Sequence, residues 1–209
     1  MRHLLLISAL ILFSFTPLVS ASKLPHLYAI KIQDKDHYGL TDIDGKEKVG
    51  LFPGCCWYCG ANVHKIKSSS ALPKQFKLTY VAENAHDFDP TTAWVEGIDG
   101  HGIGEWLEYT FNFDYPELNY EGTLGIHTII IANGYKKTRS TWKRNSRVKT
   151  LKMFVNNKPH AILHLLDRFQ LQKISLKSTI MFPKNVFTKI RFEILDVYPG
   201  TKFKDTAIT

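Results

Sequence analysis

The stretch NAHDFDPTTAWVEGIDGHGIGEWLEY, Asn84 to Tyr109, sets aromatic residues, acids and turn-forming glycines between two strand-like runs. Gly97, Gly100, Gly102 and Gly104 suit backbone conformations that other residues avoid, and Trp94 and Trp106 bracket the turn they make. The segment therefore reads as a rigid, exposed binding loop on a β scaffold. Asp87, Asp89 and Thr92 supply oxygens of the kind that gather around a hard cation such as calcium, although nothing in the reading requires a cofactor.

Outward from this loop the periodicity is that of strands. Leu107, Tyr109, Phe111 and Phe113 alternate with Glu108, Thr110 and Asn112, as do Ile190, Phe192 and Ile194 with Lys189, Arg191 and Glu193. Further strands are expected at Ile126 to Ala132, Thr150 to Asn156, Ala161 to Leu166 and Lys173 to Lys177. Turn residues separate them: Asn133-Gly134, Asn156-Asn157-Lys158-Pro159, Pro183-Lys184-Asn185 and Pro199-Gly200. No sustained helical stripe follows the amino terminus, so the pattern predicts an all-β sandwich. Thr41 to Lys46 reads as a hairpin turn, since the glutamate that would complete an EF-hand is missing.

The amino terminus sets the compartment. Arg2 and His3 precede the apolar run Leu4 to Phe15, Pro17 breaks it, and Val19-Ser20-Ala21 offers small residues for cleavage. This reads as a signal peptide over 1–21, the run being shorter than the roughly 20 residues that span a bilayer. The protein is accordingly expected to be exported, secreted or periplasmic, with no transmembrane segment after cleavage. Loss of Arg2 leaves 26 basic against 19 acidic side chains. Residues 22–70 read as an amino-terminal extension packed on a domain over 71–209.

The cysteines Cys55, Cys56 and Cys59 sit together in PGCCWYCG. Export favours a local structural disulfide, with one thiol left over for an intermolecular bridge, burial or a metal. The surrounding Pro53, Gly54 and Gly60 argue for turn chemistry, not for the helix-opening motif of a thiol oxidoreductase.

Sugars offer an apolar face for ring stacking and a rim of hydroxyls for hydrogen bonds. Trp94, Glu96, Trp106, Tyr135, Trp142, Asn145 and Arg147 supply that combination. Core packing is the competing role for Trp94 and Trp106, whereas Tyr135 and Trp142, in a polar basic loop, are expected to be exposed. Arg147 either meets ligand or pairs with Glu96 or Glu105 beneath the loops. The same loop carries Lys136, Lys137, Arg139, Lys143, Arg144, Arg147, Lys149 and Lys152, a run suited to a polyanion, lipid or protein in an envelope or adhesion role. Nucleic acid is not expected of an exported chain without a nucleic-acid-binding motif.

An enzyme is the rival class. Glu96, Asp99, Glu105 and Glu108 are enough carboxylates for a glycoside hydrolase pair, which needs a separation of about 5 to 9.5 Å that nearness in sequence does not provide. His160 and His164 share a strand face without an acidic third ligand, and neither a serine elbow nor a dinucleotide fingerprint is present. The chain is read as a non-catalytic binding module.

Several motifs together resemble one family: CWYCG (Cys56 to Gly60), NAHDFDPTTAWVEG (Asn84 to Gly97), GIGEWLEY (Gly102 to Tyr109), NGY (Asn133 to Tyr135), NSRVKTLKMFVNNKP (Asn145 to Pro159) and DVYPGTKFKDTAI (Asp196 to Ile208). They are similar to the discoidin-like translocation domain of bacterial NAD glycohydrolase toxins, also described as a NADase-type glycan-binding domain related to F5/8 type C modules. The resemblance covers roughly Phe52 to Thr209. It implies a galactose-binding-like jelly-roll β-sandwich, exported, without catalysis of its own, that binds a glycan or other cell-surface ligand. Two departures bear on that transfer. Phe88 stands where the family's turn favours glycine, and relatives continue past Ile208 into an acidic residue and a closing strand. Loss of that strand would remove a calcium ligand or leave a sheet edge unpaired.

Overall fold

The computed structural model describes residues 23–32, 63–112 and 124–209. The signal peptide, the cysteine cluster and Phe113 lie outside the described residues.

Two sheets face each other. The larger holds β1 (His26–Tyr28), β3 (Val63–Ser68), β4 (Trp94–Val95), β5 (Trp106–Phe111), β7 (Ser146–Val155), β8 (Lys158–His164), β10 (Thr188–Tyr198) and β11 (Thr206–Ile208). Its main path runs β1-β8-β7-β10-β5-β3, and β11 bridges β7 and β4. The smaller sheet runs β2 (Ile30–Lys31), β9 (Gln172–Phe182), β6 (Leu124–Ile131). This is the all-β sandwich expected from the alternating pattern, and it agrees with the discoidin-like jelly roll that the resemblance implies. Strands β1, β2 and β3 all come from residues assigned to the amino-terminal extension, so a division at residue 70 cuts across both sheets.

The core lies between the sheets. Leu107 and Phe111 of β5, Leu151 and Met153 of β7, Leu163 of β8, and Ile190 and Ile194 of β10 turn inward to meet Ile174, Ile180 and Phe182 of β9. Phe111 and Phe182 stack across the gap, with ring centroids 4.8 Å apart. Truncating a buried ring of this kind costs roughly 3 to 5 kcal/mol. The β7–β8 hairpin turns on Asn156 and Asn157, both at positive φ (48° and 64°), the conformation that a two-residue turn matched to strand twist demands.

One expectation is corrected. The basic loop contains a short helix, α1 (Arg139–Arg144), whose start is capped by the Thr138 hydroxyl accepting from the Thr141 N–H at 2.9 Å. Residues Thr206–Ile208 themselves form a strand, pairing antiparallel with β4 and parallel with β7. The edge of β7 at Ser146 and Arg147 is covered by β11.

Candidate functional site

Four connections meet at one end of the sandwich: 96–105 before β5, 132–145 before β7, 165–171 between β8 and β9, and 199–205 between β10 and β11. The pairings Trp106↔Glu193, Arg147↔Tyr198, Thr150↔His164 and Ile131↔Gln172 put those strand ends together.

The 96–105 loop is fixed by a buried acid. Glu96 has no exposed surface; its Oε2 accepts the Ile98 N–H at 2.9 Å and its Oε1 accepts the Thr206 N–H at 3.0 Å. Burial raises its pKa, the two N–H donors oppose the rise, and Asp205 and Glu105 add to it. Gly102, at φ +66°, lies so close that a Cβ there would stand 2.5 Å from Glu96 Cγ. Glu105 accepts the hydroxyls of Ser69, at 2.6 Å, and Ser70. Trp94, likewise without exposed surface, donates its indole N–H to the Ser70 carbonyl at 2.9 Å.

The 132–145 loop is fixed by an amide and a guanidinium. Asn133 imitates a strand neighbour of Val148, donating to its carbonyl at 2.7 Å and accepting its N–H at 2.9 Å. The Asn133 carbonyl accepts the Trp142 indole N–H at 2.8 Å. Arg147 lies 4.7 Å from the Trp142 ring and forks onto Asp167 through Nε and Nη2. Its Nη1 donates to the carbonyls of Asn145 and Pro199, tying three connections to one cation. Tyr135 donates its hydroxyl to the Thr91 carbonyl at 3.2 Å, and burial, first among its causes, raises its pKa.

The structure thus brings the sequence-selected residues together mostly beneath the loops. The expectation that Tyr135 and Trp142 are exposed is corrected: they are 7% and 9% exposed, since their polar tips find backbone partners inside. Asn145 is buried and donates to the Thr141 carbonyl at 2.8 Å. Trp106 is half-buried, with the Arg191 guanidinium over its ring at 5.8 Å. The partner expected for Arg147 is also corrected, from Glu96 or Glu105 to Asp167. Sequence reasoning missed Asp167, Asn133, Ser69 and Ser70. Only Asn133 had a signal, its place in an Asn-Gly pair.

Exposed on the same rim are Ile98, Asp99 and Ile103. His101 beside them shares its Nδ1 with the Ser146 hydroxyl at 3.1 Å and the Lys204 carbonyl at 3.2 Å. Of the four carboxylates that could form a glycosidase pair, Glu96 and Glu105 hold the loops as above, Glu108 lies 3.8 Å from the Lys189 ammonium, and Asp99 is exposed.

The turn at Asp87 to Thr92 closes on itself. Asp87 Oδ1 accepts the Asp89 N–H at 2.9 Å and its Oδ2 the Thr92 hydroxyl at 2.6 Å, while Asp89 Oδ1 accepts the N–H and hydroxyl of Thr91 at 2.8 and 2.7 Å. Phe88 adopts φ +61°, the conformation for which glycine is favoured. Calcium takes six to eight oxygens, and no group of three His, Cys, Asp or Glu able to hold a metal occurs among the described residues. As folded, these donors and acceptors bond to one another within the turn.

The family described as the NAD glycohydrolase translocation F5/8 type C domain matches residues 57–209. No curated protein matches the sequence. Among solved structures, the CBM32-1 and CBM32-2 domains of Clostridium perfringens ZmpB in complex with GalNAc superpose with TM-score 0.53 at 11% identity, over 91% of this chain and 40% of theirs. A longer ZmpB structure that adds the M60 catalytic domain gives TM-score 0.53 at 10% identity, over 91% of this chain and 16% of that one. The chain thus spans well under half of each, and at such identity the likeness establishes a shared fold alone. No helix among the described residues is long and apolar enough to cross a membrane.

Proposed function

Because the chain belongs to the NAD glycohydrolase translocation F5/8 type C domain family, we propose that it is an exported, non-catalytic module that binds surface carbohydrate through the rim formed by residues 96–105, 132–145, 165–171 and 199–205. The observation that carries this reading is the contrast within the rim. Its anchors Trp94, Glu96, Asn133, Trp142 and Arg147 are buried and hydrogen-bonded, while Ile98, Asp99 and Ile103 face water. A loop held from below presents a fixed surface, which lowers the ordering cost of binding. The sugar-contact role passes from the buried set to these exposed side chains, with Trp94, Glu96, Tyr135, Trp142, Asn145 and Arg147 as their supports and Trp106 half-buried beside them. The fold is also that of the ZmpB domains solved with GalNAc.

The test is a glycan array probed with the natural chain and with Asp99→Ala and Ile103→Ala variants. The expected result is binding to galactose-type or amino-sugar ligands, lost in the variants without change in melting temperature. Full binding by both variants would defeat the assignment of the rim, and turnover of any bound glycan would defeat the non-catalytic reading.

A further inference from the structure

We propose that the carbohydrate is anionic, and that Arg144 and Lys202, which flank Phe203, together with Lys143 and Lys204 of the same two joined segments, receive its sulfate or carboxylate groups. This inference rests on the carbohydrate reading above and names the chemical class of the ligand.

The patch is a product of the fold. Its two basic segments lie far apart in sequence, one at the end of α1 and the other between β10 and β11. They are joined through backbone: the Thr201 N–H donates to the Lys143 carbonyl at 3.0 Å, and the N–H groups of Lys202 and Phe203 donate to the Arg144 carbonyl at 3.1 and 2.8 Å. Gly200 permits the approach, since a Cβ there would come within 2.4 Å of the Arg144 carbonyl oxygen. The Ser146 hydroxyl accepts the Gly200 N–H at 3.1 Å and fixes the crossing point.

Two of the charges flank one ring. The Arg144 guanidinium stands 5.2 Å from the Phe203 centroid and the Lys202 ammonium 5.3 Å, with Phe203 39% exposed. Lys143, Arg144, Lys202 and Lys204 are all exposed, and none forms an ion pair with a carboxylate among the described residues. Nearby acids are committed elsewhere. Asp167 is held by Arg147, and Glu96 and Glu105 accept N–H and O–H donors. No acid occurs in the sequence from Lys136 to Lys152 or from Pro199 to Lys204.

Like charges this close repel, and the ring's negative face offsets only part of that, on the order of 0.5 to 1 kcal/mol for an exposed cation. An anionic ligand removes the remainder. The arginine fork suits the paired oxygens of a sulfate or carboxylate, and the lysines add point charges along an extended chain. Phe203, flanked by two of these cations, is a single part-exposed ring, and the charges around it suit a hydrated polyanion. The same connection, 199–205, forms part of the sugar-binding rim, so one ligand can meet both.

The experiment is titration calorimetry of the chain with four probes across a salt series: heparin fragments, the same fragments after desulfation, a neutral galactan, and anionic phosphatidylglycerol vesicles. Natural protein is compared with Arg144→Gln/Lys202→Gln/Lys204→Gln and with a control, Lys65→Gln/Lys67→Gln, on exposed positions of β3. Heparin is expected to bind more tightly than galactan. The triple variant should weaken that binding by roughly 10- to 100-fold and lower the salt slope by about one per cation removed, while the control does neither. Retained binding by the desulfated fragments assigns the contact to carboxylates, and its loss assigns it to sulfates. Equal heparin affinity in the triple variant, an equal loss in the control, or vesicles bound as tightly as heparin would overturn the proposal. Should galactan bind and heparin gain nothing over it, this inference alone fails; should no glycan bind, the carbohydrate reading fails with it. Unchanged melting curves confirm that the variants are folded.

Discussion

Arg147 and Asp167, twenty positions apart in sequence, form a forked ion pair: Nη2 lies 2.9 Å from Oδ1 and 2.8 Å from Oδ2, and Nε lies 3.0 Å from Oδ1. The arginine is nearly buried at 8% side-chain exposure, while the aspartate keeps 38%. Removing the aspartate strands a buried cation. Asp167→Ala is expected to lower stability by roughly 1 to 3 kcal/mol, less than a fully buried pair would show because water already screens the acid. Urea unfolding measures it, and a change within ±0.5 kcal/mol would show that the pair is not holding the rim.

Gly134 marks where the 132–145 connection packs on its own Trp142 and on Arg147 of β7. It sits at φ +87°, and a Cβ would stand 2.5 Å from Arg147 Cγ and 2.7 Å from Trp142 Cδ1. Both the strained backbone and the overlap oppose a side chain, so Gly134→Ala should cost about 1 to 3 kcal/mol. A thermal melt equal to that of the natural chain would contradict the close approach.

The first strand carries a pH response. His26 Nδ1 and His164 Nε2 are 2.8 Å apart, which requires at least one neutral ring, and Tyr28 stacks on His164 at 4.6 Å. Burial, then the His26 charge, lowers the His164 pKa below its ordinary value near 6.5. A histidine held lower in the fold contributes stability that is present above the unfolded pKa and lost as pH falls through it toward the folded value. Hydrogen exchange at the Ala29 amide, which donates to the His164 carbonyl at 2.8 Å, should therefore quicken below pH ~6.5 after correction for intrinsic rates. His164→Gln should flatten that dependence, and identical protection at pH 5 and 8 in the natural chain would refute it.

The Asp87–Thr92 turn leads to a prediction about calcium. Because its carboxylates already accept N–H and O–H donors, calcium chelation is expected to leave the melting temperature unchanged. A chelator-sensitive melt that Asp89→Ala abolishes would instead show Asp87, Asp89 and Thr92 acting as ligands.

How much of this was legible in the sequence differs between elements. Alternation at Leu107, Phe111, Ile190 and Ile194 revealed the strands because a sheet with one buried face imposes a period of two on the chain itself. The Asn156-Asn157 turn and the left-handed demand at Phe88 were readable for the same local reason. Exposure was not readable. Trp142 and Tyr135 stand among lysines and polar residues in sequence, yet the fold turns both inward because the Asn133 and Thr91 carbonyls offer partners for their N–H and O–H.

The sequence by itself determined the strand pattern, the turns, the family motifs and the surplus of basic residues, all set by short-range periodicity or composition. Only the tertiary structure decided that Arg147 meets Asp167, that Thr206–Ile208 forms a strand covering the edge of β7, and that Lys202 and Lys204 join the cations at the end of α1. Those contacts depend on the register between segments distant along the chain, and burial of a shared core fixes that register where local preference cannot.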